Sequence, residues 1–298
     1  MRLGAHLSIA KGLPSALDLA LKHQCQCLQV FVGNPRSWKT APLPDEAVEA
    51  FRRRRAQLAL KTSTRIEPVV AHMPYLPNLA SCRRDVYRLS RQALADQLDR
   101  CARLGLEYLV VHMGKHEGRS IPQALERMAR AIGKVLRAYS GGTMLLLENT
   151  AGQGTETGRT MEEIGQLLRR LDDPRVGVCL DTCHLFAAGY DLTEATGLKQ
   201  LVDEIETSFG CTRVHVLHVN DSKKPCGSRV DRHAHIGEGC IGEAGFRRVL
   251  VHPVFRRLPA ILETPQDDPG DVDRNLARLR ACLRRPRQRA IEPAGRAE

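Results

Sequence analysis

The feature that most limits what this chain can become is an alternation repeated eight times, in which a short run rich in Leu, Val and Ile precedes a longer stretch with apolar residues every three to four positions. The short runs predict strands at Leu3–Leu7, Cys27–Val32, Pro68–Ala71, Tyr108–Val111, Met144–Leu147, Val176–Leu180, Val214–Val219 and Ala260–Leu262. The longer stretches predict helices at Pro14–His23, Asp45–Leu60, Cys82–Leu104, Ile121–Tyr139, Met161–Leu171, Thr193–Phe209, Glu243–Leu250 and Asp271–Leu283. Strands alternating with helices imply βαβ units and a parallel sheet, and eight units imply closure into a single (β/α)8 TIM barrel. Runs such as MLLLEN and YLVVHM suit strands covered on both faces. No internal repeat and no Pro-, Gly- or Ser-rich linker cuts the chain, so residues 1–283 are expected to form one barrel domain. Residues 284–298, with RRPRQR and little apolar content, are expected to form a disordered basic tail.

The strand ends carry the chemistry. His72 follows EPVVA, His112 follows YLVV, Glu148 follows MLLL, Asp181 follows VGVCL, His218 follows VHVL and Glu263 follows AIL, so six of the eight predicted strands end in a metal-binding residue type. In a barrel of this kind chemistry belongs to the carboxyl ends of the strands, whereas the opposite rim serves stability. His184 in LDTCHL and the Asp231-x-His233 pair in VDRHAHIGEG bring the candidate ligands on this rim to nine. Four or five would fill one site, so nine argue for more than one ion. Imidazole with carboxylate suits zinc, manganese or iron, and no thiol contributes unless Cys179 or Cys183 turns inward. Glu148, near the middle in chain order, is placed to bridge two ions, and a bridged pair about 4 Å apart clamps the attacking and leaving oxygens of a phosphodiester.

Blander readings stand beside these. Each strand-end histidine, taken alone, could equally be a hydrogen-bonding partner, and Asp181 and His184 could be a helix N-cap and a first-turn residue. His6 ends the first strand and could support the site from behind, whereas strand parity turns His215 away from His218. The GQGTETG stretch at Gly152 has its third glycine one position late for a dinucleotide loop and lacks the lysine of a P-loop, so it reads as a turn. Arg36, Trp38 and Tyr75 fall on the catalytic rim, where arginine and aromatic side chains could stack on or wedge between bases.

Charge narrows the partner. A formal net charge of +11 favours polyanions, with nucleic acid the obvious candidate, although a preference for Arg over Lys from a high-GC genome would account for part of it. The ten cysteines form no C-x-x-C pair and read as buried free thiols. No run is long and apolar enough for a membrane span and no leader precedes Leu3, so a cytoplasmic protein without a membrane partner is expected. With no apolar surface stripe to suggest a dimer, a monomer is expected.

Together the segments resemble the endonuclease IV family of apurinic/apyrimidinic (AP) endonucleases, also called deoxyribonuclease IV. The resemblance rests on GAHLS at Gly4, FVGNPRSW at Phe31, AHMPYLPNLAS at Ala71, LVVHMGKH at Leu109, LLLENTAGQGTETG at Leu145, VCLDTCHLFAAGYD at Val178, HVNDSKKPCGSRVDRHAHIGEG at His218 and LETP at Leu262. It implies a barrel with three zinc ions per chain, manganese being possible at one position. His72, His112 and Glu148 would hold one ion, Glu148, Asp181, His218 and Glu263 a second, and His184, Asp231 and His233 the third. The family cleaves double-stranded DNA 5′ to abasic sites, leaving a 3′-hydroxyl and a 5′-deoxyribose phosphate, and trims blocked 3′ ends. Glu148 and Glu263 are then the expected catalytic carboxylates. Arg36 and Tyr75 look like the residues that wedge the duplex open, and Lys115, Lys223 and Arg229 join them as expected DNA contacts. HMGKH departs from the family's usual Pro-Gly-Ser after the histidine, which puts Lys115 where a small hydroxyl is common.

Two rivals remain at this point. A sugar isomerase or epimerase barrel also binds divalent ions at its strand ends, but would leave Asp231 and His233 spare. A noncatalytic nucleic-acid-binding metalloprotein would favour a closed, thiolate-rich site, unlike this one.

Overall fold

The computed structural model describes residues 1–38, 41–60 and 64–284. Eight parallel strands close a barrel, as the alternation predicts. They are β1 (Arg2–His6), β2 (Cys27–Val30), β3 (Val69–His72), β4 (Tyr108–His112), β5 (Met144–Glu148), β6 (Val176–Asp181), β7 (Val214–His218) and β10 (Pro259–Leu262). Sequential neighbours pair around the ring, and β1 pairs with β10 to close it. Between β7 and β10 the chain adds a two-residue antiparallel ladder, β8 (Asp221–Ser222) with β9 (His233–Ala234). The described helices are α1 (Leu13–Lys22), α2 (Asp45–Ala59), α3 (Arg84–Leu104), α4 (Ile121–Ala138), α5 (Met161–Leu171), α6 (Thr182–Ala188), α7 (Ala195–Ser208), α8 (Gly242–Val251) and α9 (Asp271–Leu283). Among the described residues, no helix is long and apolar enough to cross a membrane.

Local signals explain where the helices start and turn inward. In α4 the Ser120 N–H donates to Gln123 Oε1 at 3.3 Å, Pro122 sits in the first turn, and Leu125, Met128, Ile132 and Leu136 form the buried stripe. The Thr160 hydroxyl accepts from the Glu163 N–H at 3.2 Å to start α5, and Gly105 (φ 71°) closes α3 in the left-handed conformation.

Inside the barrel lies a separate apolar layer of Cys27, Val70, Val110, Leu146, Cys179, Val216 and Ile261, one residue from each of seven strands. The eighth position belongs to Gly4 on β1, where a Cβ would stand 2.0 Å from the Cys27 carbonyl oxygen, so only glycine admits the neighbouring strand. Two residues further along each strand, or just past its end, are His6, Gln29, His72, His112, Glu148, Asp181, His218 and Glu263. Period-two alternation therefore delivers eight polar side chains to one rim, directly above an apolar plug.

Two local features differ from expectation. The short helix α6 is absent from the helix pattern because Thr182–Ala187 are all buried, leaving no polar face and hence no readable periodicity. Asp181 does cap it, accepting from the His184 N–H at 2.8 Å. The second difference concerns His215. The β6–β7 register shifts between Val178 and Cys179, which breaks simple parity. The His215 ring lies inside the lower mouth of the barrel, 5.7 Å from the Tyr108 ring, and a Cβ on Gly177 would stand 2.4 Å from it. The absent side chain at Gly177 makes the room. The basic tail expected over residues 284–298 falls, apart from Arg284, outside the described residues.

Candidate metal centre

Each candidate ligand reaches the rim by a specific element. His72, His112, Glu148, Asp181 and His218 are the last residues of β3 to β7, and Glu263 directly follows β10. His184 lies in the first turn of α6, Asp231 in the loop before β9, and His233 begins β9. Their ligand atoms converge in groups whose members lie within 4.8 Å of one another: His72, His112 and Glu148; Glu148, Asp181, His218 and Glu263; Asp181, His184 and His233; and Cys183, Asp231 and His233.

Glu148 is the hub. It is fully buried, and its Oε2 lies 3.1 Å from His72 Nε2 and 3.0 Å from His112 Nε2 while its Oε1 lies 2.8 Å from His218 Nδ1. Asp231 links the far side, with Oδ2 3.3 Å from His184 Nε2 and Oδ1 3.3 Å from His233 Nε2. Burial alone would raise the Glu148 carboxyl, but the imidazoles of His218 and His112 outweigh it and hold the group well below the usual carboxylate range. Asp231 and Glu263 are likewise held low against their burial, by His184 with His233 and by His218 with His6. His233 is pushed the other way, to about 9, because Asp231 and Asp181 overcome its desolvation.

The partners of these carboxylates show what the donor set suits. The ion pairs recorded for Glu148, Asp181, Asp231 and Glu263 are all with imidazoles. Among the described residues these four buried or half-buried carboxylates thus face imidazoles and no Lys or Arg, an arrangement that suits a bound cation. His233 Nε2 makes the same point, being buried, near Asp231, and without a hydrogen bond of good geometry. Nitrogen and oxygen donors without a thiolate suit zinc, manganese or iron, so the residues fit the metal ions that the pattern implies. Cys179 and Cys183 do turn inward, and burial pushes both thiols up, Cys179 to about 12.

Supporting hydrogen bonds aim the donors. The Nδ1–H groups of His72, His184 and His233 face the backbone carbonyls of Met73, Asn149 and Glu263 at 2.7, 2.9 and 3.0 Å, which leaves Nε2 toward the carboxylates. Asn220 donates through Nδ2 to Asp181 Oδ2 at 2.6 Å and accepts at Oδ1 from the Glu263 N–H at 2.7 Å. Asn149 Oδ1 accepts from the Asp181 N–H at 2.7 Å. Asp221, fully buried, accepts from the N–H groups of Ser222, Gly237, Gly239, Ile241 and Gly242, and so folds the loop that carries Asp231 and His233. Asn149, Asn220, Asp221 and Gln29 are not among the residues singled out from the sequence. The available signal was a polar residue sharing strand parity with the ligands.

A cavity of about 850 Å³ opens beside the cluster and is bordered by Phe31, Tyr75, His112, Asp231 and Glu263. Tyr75 is 64% exposed, with its ring 6.0 Å from His72 and 6.2 Å from His112, which sets it at the mouth. Arg36, Lys115, Lys223 and Arg229 are all exposed on loops following strand ends, whereas Trp38 is half-buried. The Tyr75 loop is clasped to the Lys115 loop by Glu117, whose carboxylate accepts from Asn78 Nδ2 (2.9 Å), Ser81 Oγ (3.0 Å) and the Cys82 N–H (2.8 Å). Asn78 Oδ1 in turn accepts from the Lys115 N–H at 3.0 Å.

Residues 17–284 match the family described as Xylose isomerase-like TIM barrel. Over 280 residues the chain is 44% identical to the "Probable endonuclease 4" of Methanoculleus marisnigri, covering 93% of this chain and 97% of that one. The Chloroflexus aurantiacus protein of the same description is 43% identical, covering 95% and 98%. Among solved structures, endonuclease IV from Thermus thermophilus superposes with a TM-score of 0.83 at 40% identity, covering 95% of this chain and 99% of that one. A D-tagatose 3-epimerase-like protein also superposes, with a TM-score of 0.70 at 18% identity and 95% and 97% coverage, a likeness of fold alone.

Proposed function

This chain belongs to the endonuclease IV family of AP endonucleases, within the xylose isomerase-like TIM barrels, and on that premise we propose that it is a zinc-dependent DNA repair phosphodiesterase. It hydrolyses duplex DNA 5′ to abasic sites, leaving a 3′-hydroxyl and a 5′-deoxyribose phosphate, and trims blocked 3′ ends. The observation that carries the reading is Glu148, one buried carboxylate shared by two ligand groups through its two oxygens.

His72, His112 and Glu148 would hold one ion, Glu148, Asp181, His218 and Glu263 a second, and His184, Asp231 and His233 a third, with manganese an option at one position. Bound there, the ions would supply Lewis acidity, making water available as hydroxide near neutral pH and offsetting charge on a phosphodiester.

The chain's own side chains do the rest. Glu263 sits at the open side of the cluster, its side chain 15% exposed and held ionised, where its carboxylate can orient a water and accept a hydrogen bond from it. Tyr75 keeps its phenol protonated: although the residue is 64% exposed, desolvation where the ring packs against Phe31, His72 and His112, and then Glu263 and Glu148, raise it above its ordinary value. The ring can therefore stack on a base at the mouth without adding negative charge. With Arg36 it would hold the duplex open, and Lys115, Lys223 and Arg229 would take phosphates flanking the lesion. The cavity of about 850 Å³ beside the cluster gives an extruded sugar somewhere to go.

A duplex bearing one abasic-site analogue tests this directly. A single nick on the 5′ side, lost after chelation, restored by zinc and accompanied by about three ions per chain, is the expected result. A fully metallated chain that binds the duplex without nicking it would refute the reading.

A further inference from the structure

At its shortest carboxylate contact each of His72, His112, His184 and His233 presents Nε2, whereas His218 presents Nδ1. Three of those four owe their orientation to a backbone carbonyl behind Nδ1. His218 instead backs onto a side chain, with its Nε2 2.8 Å from Gln29 Oε1. Gln29 is fully buried at the carboxyl end of β2, between His6, His218 and Glu263.

The hydrogens in this contact follow from what each group can do. The Glu263 carboxylate only accepts, so the Gln29 atom 2.5 Å from its Oε1 must be the amide nitrogen. The same amide nitrogen lies 3.0 Å from His6 Nδ1. Gln29 Oε1 therefore faces His218 and can only accept, so His218 Nε2 must carry hydrogen. When His218 is neutral its lone pair is then on Nδ1, the atom 2.8 Å from Glu148 Oε1 and 3.2 Å from Glu263 Oε2.

We propose that Gln29 is a positioning residue that makes His218 an Nδ1 metal ligand and, through the same amide, aims Glu263 at the same ion. The inference rests on the metal site proposed above. It assigns to a side-chain amide the task that a main-chain carbonyl performs for the neighbouring ligands. Because an imidazole without that acceptor is free to tautomerise or turn, the ion held by Glu148, Asp181, His218 and Glu263 should depend on Gln29 more than the other ions do.

The test uses the full chain loaded with zinc and labelled with 15N-histidine. NMR should show one imidazole coordinated through Nδ1 with hydrogen on Nε2, and the other metal-bound rings coordinated through Nε2. All rings bound through Nε2 would overturn the proposal, and this measurement on the unsubstituted protein needs no variant to fold. In Gln29→Leu, competition with a chromophoric chelator should show one ion weakened by about 10- to 100-fold while the others are retained. Equal affinity for every ion in Gln29→Leu would also overturn it. Failure of the unsubstituted chain to take up zinc at all would remove both the metal site and this inference, whereas uptake with unchanged affinity in the variant removes the inference alone.

Discussion

Two layers of the same barrel, two residues apart on the same strands and so separated by about 6.6 Å, have opposite chemistry. The lower layer holds Val70, Val110, Leu146, Cys179, Val216 and Ile261, and the upper one His72, His112, Glu148, Asp181, His218 and Glu263. Backbone geometry is shared, so the difference lies wholly in the side chains. Apolar contacts in the lower layer need no partner of defined geometry, and their burial favours folding. In the upper layer a carboxylate such as Glu148, with no exposed surface, requires several oriented partners. The fold can hold such a site because its cost is offset by the plug beneath and the helices outside.

The sharpest way to break this comparison is to alter one strand at both levels. Glu148→Gln should lower kcat by about 10³-fold or more and reduce the metal count, because the charge shared by two ligand groups is lost. Single-turnover nicking with metal analysis would show it, and near-normal turnover would mean that the upper layer is not the reactive one. One step below, Leu146→Ala should cost about 2–5 kcal/mol of stability in guanidinium unfolding while the folded fraction keeps its metals and its kcat. Loss of metal in that variant without loss of stability would erase the division between the layers.

Smaller effects should come from outside the barrel. Tyr75→Ala is expected to weaken binding of abasic DNA by about 1–3 kcal/mol. Metal content and unfolding midpoint should not change, since the side chain is mostly exposed; a shifted metal count would join Tyr75 to the rim cluster instead. The smallest effect concerns Glu117. Its burial works against ionisation, but hydrogen bonds from the Cys82 N–H, Ser81 and Asn78 hold the carboxyl below its ordinary value. A lowered folded-state value means that the clasp contributes fully above the unfolded carboxylate range and is lost as pH falls through the lowered value. Amide protection across residues 78–82, corrected for the intrinsic pH dependence of exchange, should therefore fall in acid, and Glu117→Gln should remove that dependence. Protection that falls equally in the Gln variant would show that the loops are held by something else.

Much of the site could be read without coordinates because period-two strands in a closed barrel leave few places for a polar residue after an apolar run. His72, His112, Glu148, Asp181, His218 and Glu263 all stand there, and their ligand atoms come together. Asp181 served both readings at once, as a cap for α6 and as a member of the cluster. His215 escaped the same logic, since a register shift moves a side chain that parity alone would have turned outward. Helix α6 escaped it too, because a fully buried helix has no amphipathic period.

By itself, then, the order of residues determined the barrel and which residue types stand on its working rim, because both follow from local periodicity and short connections. It also carried the family motifs. Only tertiary structure decided which atom of each ligand faces the cluster. Gln29 and Glu263 are 234 positions apart in the chain and 2.5 Å apart at the site, and Gln29 and His218 are 189 positions apart at 2.8 Å. Hydrogen bonds of that kind depend on direction as well as proximity, and direction across a barrel is set only once all eight strands have closed.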